Sequence, residues 1–145
     1  MAGMKITKMF FDTKKVISAT DRATRRVFSK FGAFVRRGAR SSIRKRKAVS
    51  APGKPPSSHV GLLKKLIYFG YDTDKQTVVI GPTPLGGKAE VPALLEYGGR
   101  KVVMGRRGRK QRKRQVATYS PRPFMGPAFE KEKPKLPAMW ADSIK

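Results

Sequence analysis

A long amphipathic helix is the feature that most constrains what this chain can fold into. From residue 12 to residue 47, apolar and small side chains recur at steps of three and four, which places them on one helical face. That face comprises Val16, Thr20, Ala23, Val27, Phe31, Phe34, Val35, Ala39 and Ile43. Asp12 is the expected N-cap. Gly32 and Gly38 weaken the helix interior and predict either a kink or the close packing of another chain, unless they are simply tolerated.

The chain is strongly basic, which constrains its partners. Its 34 Lys and Arg residues outnumber nine Asp and Glu residues and give a formal net charge of +25. A charge of this size opposes folding by self-repulsion, so a polyanion or an acidic partner surface is expected to offset it. Hydrophobic residues make up 39% of the chain, a share typical of globular proteins and not of disordered basic tails.

Two segments, 36–47 and 105–114, each hold seven basic residues and no acidic one. Such clusters attract nucleic acid by releasing counterions from its phosphates, whatever the base sequence. Aromatic residues are not interleaved with these charges, so stacking on unpaired bases is not predicted. The predicted contact residues for DNA or an acidic protein are Arg36, Arg37, Arg40, Arg44, Arg106, Arg107, Arg109, Lys110, Arg112, Lys113 and Arg114.

Short strands and helices are predicted after the long helix. Three prolines between residues 52 and 56 favour an extended linker. β-Branched residues near 77–80 favour a hairpin of strands at 67–71 and 77–81. A glycine pair at 98–99 is typical of the end of a helix, here at 91–97. Strands at 101–104 and 115–119 would flank the second basic segment.

The predicted fold class is therefore α+β. It has a long N-terminal helix packed on a small antiparallel sheet, an extended basic β-arm and a shorter C-terminal helix, which Pro134 and Pro137 interrupt. We expect a single domain over residues 1–145. Its parts are the helix at 12–47, a proline-rich linker at 48–60, the sheet at 61–120 with the arm at 105–114, and a C-terminal helical segment at 121–145.

Candidate catalytic and metal-binding groups are sparse. The chain has no cysteine, which excludes disulfides and thiolate ligands. His59, the single histidine, has no carboxylate near it in sequence and is interpreted as structural or exposed. Glu90 and Glu96 share no favoured face across Pro92 and are interpreted as surface or interface acids. The loop at 81–88 differs from a phosphate-binding loop in its lysine position and its prolines. We therefore predict no catalytic residue, no cofactor, no metal ligand and no enzymatic activity.

Membrane and targeting segments are not predicted either. Residues 1–11 contain no apolar run of the roughly seven residues that a secretory signal needs. No segment approaches the roughly 20 apolar residues of a membrane span. The expectation is a soluble protein, intracellular when it is made, without a membrane partner.

Three short motifs follow one another along the chain. A proline-glycine linker at 51–56 precedes Gly61 and Leu62, the segment Glu96-Tyr97-Gly98-Gly99 ends the predicted short helix, and Arg122-Pro123-Phe124 opens the last helical stretch. Each motif alone is weakly specific, but their order and spacing over residues 16–140 resemble the neck and tail-completion proteins of long-tailed bacteriophages.

The resemblance implies a structural virion protein, located in the neck or tail and, during assembly, in the host cytoplasm. It implies a closed homo-oligomeric ring, a hexamer or dodecamer, which joins tail to head around the DNA channel. Adjacent connector and tail proteins and the genomic DNA would be its partners. In this setting Glu96 is expected to offer its carboxylate to a neighbouring arginine, within the subunit or across a subunit boundary, and Phe124 and Phe129 to pack the last helix on the sheet.

Two other function classes stay open from the sequence. A pI near 11.2 is typical of a sequence-nonspecific cellular nucleic-acid-binding protein, ribosomal or chromatin-like. No motif of a known nucleic-acid reader supports that class. A hydrolase would need a hidden site at His59 or Glu96.

Overall fold

The long N-terminal helix is confirmed. The computed structural model describes residues 12–85, 90–107, 111–141 and 143. In it α1 spans Thr13–Ser42, and the carboxylate of Asp12 caps it by accepting a 3.1 Å hydrogen bond from the Lys15 amide. The helix ends five residues before the predicted end at 47, because Ile43 turns into an extended conformation. The start of the predicted apolar face, Val16 and Thr20, is exposed.

The proline-rich linker contains no helix but, unlike the predicted extended segment, it turns at Pro52 and Gly53, where the Lys54 amide donates to the Ala51 carbonyl. It also carries a short parallel pairing. Strand β1 (Arg44–Lys45) pairs with β2 (Ser57–Ser58). The amide of Gly53, a residue with φ of +75°, donates a 2.8 Å hydrogen bond to the carbonyl of Pro121. The linker is therefore held at two places. Strand β1, just after α1, pairs with its end, and Pro121 in the C-terminal segment binds its middle.

The first predicted hairpin is confirmed and packs on α1. After the single-turn helix α2 (Leu62–Lys65), strands β3 (Ile67–Asp72) and β4 (Thr77–Pro82) pair in antiparallel register. At Gly32 an added Cβ would lie 2.8 Å from Phe69 and 2.9 Å from Val78. Gly32 therefore serves close packing, but the partner is this hairpin of the same chain.

The second hairpin follows helix α3 (Glu90–Tyr97), which ends at Gly98 as predicted. Strands β5 (Gly99–Arg107) and β6 (Gln111–Tyr119) are nine residues each and pair antiparallel throughout. They extend into the segment expected to be the arm. In the described residues the two hairpins share no backbone pairing, so the predicted small sheet is divided in two. Just beyond β4 the Thr83 amide still donates to the Leu66 carbonyl, and Pro84 after it has no amide to donate to a further strand.

The C-terminal segment is helical and broken at its prolines, as predicted. Helix α4 (Met125–Glu132) continues through a 3₁₀ turn (Lys133–Lys135) into α5 (Leu136–Trp140). Helix α4 packs against α1, and the ring of Phe129 meets that of Phe31 edge-on at 5.6 Å.

One hydrophobic core joins α1, α2, the first hairpin and the C-terminal segment. Its buried members are Phe31, Val35, Ala39, Ile43, Leu63, Ile67, Phe124 and Ala128. Helix α1 supplies one side, and the β3–β4 hairpin with the C-terminal helices supplies the other. No helix in the described ranges is both long and apolar enough to cross a membrane.

Candidate functional site

Glu96 at the end of α3 binds the first turn of α4. Its carboxylate accepts hydrogen bonds from the backbone amides of Phe124 (2.9 Å), Met125 (3.0 Å) and Gly126 (2.7 Å). These are amides that a helix start leaves unpaired, and the helix dipole favours an anion there. Among the described residues the partners of Glu96 are these backbone amides and not an arginine, and the expected arginine contact across a subunit boundary stays a prediction.

Arg122 ties the same region to the linker. Its Nε donates a 2.9 Å hydrogen bond to the Ser50 carbonyl and its Nη1 a 3.2 Å bond to the Ser120 carbonyl. Its backbone amide donates to the Leu95 carbonyl at 2.7 Å. Arg122 thus joins its own segment to the linker through its guanidinium and to α3 through its backbone amide, a role that motif order alone did not indicate.

Gly98 and Phe124 complete this junction. Gly98 has a φ of +73°, and a Cβ there would lie 2.9 Å from the Tyr119 carbonyl oxygen. Phe124 is 1% exposed and belongs to the core. We call the cluster of Glu96, Gly98, Arg122 and Phe124 the motif junction. It brings the second and third sequence motifs into direct contact.

The other predicted motif residues lie elsewhere. Gly61 adopts a φ of +75° at the start of α2, a conformation that favours glycine. Leu62 beside it is exposed, Pro123 is half-buried, and Tyr97 is 82% exposed. A tyrosine so exposed contributes little to the core and is available to a partner.

Three of the four predicted arginines on α1 line one groove of about 490 Å³. Arg36 donates from Nε to the Ile67 carbonyl at 2.6 Å, and its guanidinium lies 5.8 Å from the centre of the Tyr68 ring. The Arg37 guanidinium lies 4.9 Å from the centre of the Phe34 ring. We define the α1 groove by its lining residues Phe34, Arg36, Arg37, Arg40, Ser41 and Lys64.

The sequence did not indicate Lys64 or Tyr68 as members of this neighbourhood. Helix α2 and strand β3 place these two residues beside α1. They are far from Arg36 in the sequence, so no local pattern indicates that they lie near it. Arg44, the fourth predicted arginine, is exposed in β1 and does not line the groove.

The charge of the α1 groove is uncompensated within the described residues. Among the described residues, ion pairs join Lys101 to Glu90, Lys133 to Glu130 and Lys135 to Glu132. None involves a cation of the groove, and no acidic side chain lines it. Its four cations therefore form a local excess of positive charge.

The basic arm continues the β5–β6 hairpin. Backbone pairing sets Arg106 opposite Arg112, and Arg114, which is exposed, opposite Met104. Arg109 and Lys110 lie outside the described residues, as do the side chains of Arg106, Arg107, Arg112 and Lys113.

The two faces of this hairpin differ. Val103 and Tyr119 face Val91 and Leu94 of α3 in a small apolar cavity. On the other face Val102, Met104 and Val116 are 56%, 56% and 66% exposed, and Val102 lies directly opposite Val116. We call these three residues the outer face. The sequence did not reveal this face, because Val102, Val103 and Met104 form an unbroken apolar run without alternation.

The remaining candidates have separate, local contacts. The Nε2 atom of His59 is hydrogen-bonded to the Lys47 carbonyl. Lys101 binds Glu90, and this hydrogen bond and charge lower the pKa of the Glu90 carboxyl below its ordinary value. Glu90 and Glu96 thus serve different partners. Across the described ranges, no group of three or more histidine or acidic side chains could hold a metal ion.

The described chain thus offers three features of interest: the motif junction, the α1 groove and the outer face with its basic arm. Comparison of the chain with protein-family models, with curated proteins and with solved structures found no match.

Proposed function

We propose that this protein is a non-enzymatic structural component of the neck or tail end of a long-tailed bacteriophage. Its copies form a closed ring around the DNA channel and join the tail to the head. The observation that carries the proposal is the motif junction. Glu96 and Arg122 lie in two of the motifs on which the phage resemblance depends. Glu96 binds the amide of Phe124 in the third motif, and Arg122 binds the carbonyl of Ser50, next to the proline-glycine linker.

The outer face supports the assembly part of the proposal. A two-stranded hairpin is marginally stable in water by itself, and exposed apolar clusters mark interaction surfaces. Val102, Met104 and Val116 form such a cluster beside a strongly basic strand. In a ring, each subunit would cover the outer face of its neighbour, a heterologous contact that closes by rotation.

A particle-level experiment tests this function. The gene is interrupted by an early stop codon in the phage that carries it, and the wild-type chain is supplied from a plasmid as the control. We expect unjoined heads and tails in electron micrographs of the lysate, with joining restored by the plasmid. Mass spectrometry of purified wild-type particles should also detect the chain. Joined, infectious particles at the normal yield without the protein would overturn the proposal.

A second candidate is a sequence-nonspecific nucleic-acid-binding protein of a cell. The uncompensated cations of the α1 groove favour it. The flanking genes separate the two functions: portal and major tail protein genes support the virion protein, and a ribosomal operon supports the cellular one. Co-purification with ribosomes or chromatin instead of particles would also select the second.

A further inference from the structure

We infer that the α1 groove binds the phosphodiester backbone of a nucleic acid duplex. Four cationic side chains, Arg36, Arg37, Arg40 and Lys64, converge on it from two helices. The inference concerns a ligand and does not depend on the position of the protein in a particle. It holds equally for viral and for cellular DNA.

The spacing of the cations suits a chain of phosphates. Arg36 and Arg40 are one helical turn apart on one face of α1, about 6 Å along the axis at about 1.5 Å per residue. Each strand of a DNA duplex presents a phosphate about every 3.4 Å of its axis, so several phosphates can meet the groove at once. Arginine also matches phosphate oxygens with paired N–H donors.

The aromatic rings near the groove favour backbone contact over base stacking. The Phe34 ring lies against the Arg37 guanidinium, and the Tyr68 ring against that of Arg36. These contacts hold the guanidinium groups in place, which reduces the entropy lost when a phosphate binds. Stacking platforms for unpaired bases instead present free ring faces. A duplex, whose bases stay paired, is the ligand that fits.

Arg36 has a structural role as well, since its Nε holds the carbonyl of Ile67 at the start of β3. A substitution there would disturb the hairpin and confound a binding test. Arg37, Arg40 and Lys64 make no hydrogen bond or ion pair with another described side chain, so they are the residues to change.

The test compares two triple variants of the full chain. In the groove variant Arg37, Arg40 and Lys64 become glutamine. In the control Arg22, Arg26 and Lys30, exposed on the same helix outside the groove, become glutamine. Both lose three charges. Binding to a fluorescein-labelled 20-base-pair duplex is followed by anisotropy at several salt concentrations, and circular dichroism checks that each variant is folded.

We expect the groove variant to bind at least about tenfold more weakly than the control at moderate salt. Its plot of log affinity against log salt should be shallower by about 2.7, at about 0.9 per lost phosphate contact. Equal losses in both variants would overturn the inference, because the net charge alone would then explain binding. Polyglutamate that displaces the duplex at an equal charge concentration would also overturn it, in favour of an acidic protein ligand.

A measurement on the wild-type protein removes any dependence on variant folding. Acetylation of Lys64 by a soluble ester is followed by mass spectrometry with and without the duplex, and exposed Lys131 on α4 is the internal reference. Protection of Lys64 at least about threefold greater than that of Lys131 is expected. Equal protection of the two lysines would contradict the inference. These binding and acetylation tests do not involve particle assembly. Their failure would overturn duplex binding by the α1 groove, whereas the head–tail experiment tests the proposed function.

Discussion

The carboxylate of Glu96 lies 2.7 Å from the amide nitrogen of Gly126, although 30 residues separate them. This contact makes a side chain from the end of α3 the N-terminal cap of α4. Phe124, the residue at the N-cap position of α4, supplies no side-chain hydrogen bond. Helix capping, which usually is a local matter, here joins two parts of the chain.

Neutralising Glu96 should weaken the fold. In Glu96→Gln an amide N–H₂ group replaces one carboxylate oxygen. This group is a donor, so it cannot accept a hydrogen bond from the backbone amides of α4. We expect the free energy of unfolding to fall by about 1–3 kcal/mol, the range for charge-assisted hydrogen bonds. Guanidinium denaturation followed by the fluorescence of Trp140 measures it. Glu130→Gln, on the exposed side of α4, is the matched control, and equal stability of the two variants would contradict the capping role.

Two glycines of α1 should respond oppositely to alanine. At Gly32 a Cβ would come within 3.0 Å of Phe69 and Val78, so Gly32→Ala forces the hairpin away. We expect a net loss of stability of about 1–2 kcal/mol, since overpacking exceeds the helix-propensity gain. At Gly38 the nearest atom, the Cβ of Ala128, is 3.5 Å away. Gly38→Ala should therefore gain up to about 1 kcal/mol. Thermal denaturation of both variants measures these changes in stability. A Gly32→Ala variant more stable than the wild type would contradict the tight packing at Gly32.

The Glu90–Lys101 pair gives a pH-dependent contribution to stability. Because Lys101 lowers the pKa of the Glu90 carboxyl in the folded chain, the contribution is present above the ordinary value of 4.5 and is lost as the pH falls through the folded value. NMR titration of the carboxyl carbon should give a pKa below 4.5 in the wild type. Lys101→Met should return it toward 4.5, and added salt should reduce the difference. An unchanged pKa in Lys101→Met would exclude the pairing.

The outer face should control self-association. In Val102→Lys/Val116→Lys two exposed, directly opposite valines become charged. We expect the sedimentation coefficient of any oligomer to fall toward that of the monomer with little change in thermal stability. Val79→Lys is the control, because that valine is as exposed but lies in the other hairpin. If Val79→Lys dissociates the oligomer as strongly, the outer face is not the specific contact.

The basic arm should be needed for assembly and dispensable for folding. Met104 and Arg114 are opposite one another, so residues 105–113 can be replaced by Asn-Gly, a pair that favours a tight hairpin turn. We expect a folded chain that no longer restores joined particles in the plasmid complementation. An arm of full length with its basic residues changed to glutamine separates charge from length. Normal particle yields with both variants would show that the arm has no role in joining.

Local patterns predicted most of the elements. The three- and four-residue periodicity found α1, the β-branched run found β4, and glycine and proline positions located the ends of α3 and the break after α4. The end of α1 was placed too late, because residues 44–45 are basic and continue a helical pattern while their backbone pairs with β2. Pairing of that kind is a tertiary effect that overrides local preference.

The candidate site was predicted less completely. The arginines of α1 were found from charge alone, but Lys64 and Tyr68 join them only through the packing of α2 and β3 on α1. The contact that Glu96 makes inside the chain was not predicted, for a related reason. Sequence shows an acid that an arginine could bind, and it does not show that three unpaired amides lie closer.

The hydrogen bond from Arg122 to the Ser50 carbonyl spans 72 residues. During synthesis the linker therefore leaves the ribosome long before its partners do. Until residues 121 and 122 have been made, the linker cannot form its hydrogen bonds to them, and α4 cannot yet be capped by Glu96. A nascent chain stalled before residue 121 would leave the middle of the fold unfinished, so truncation from the C-terminal side should expose the linker to proteases first.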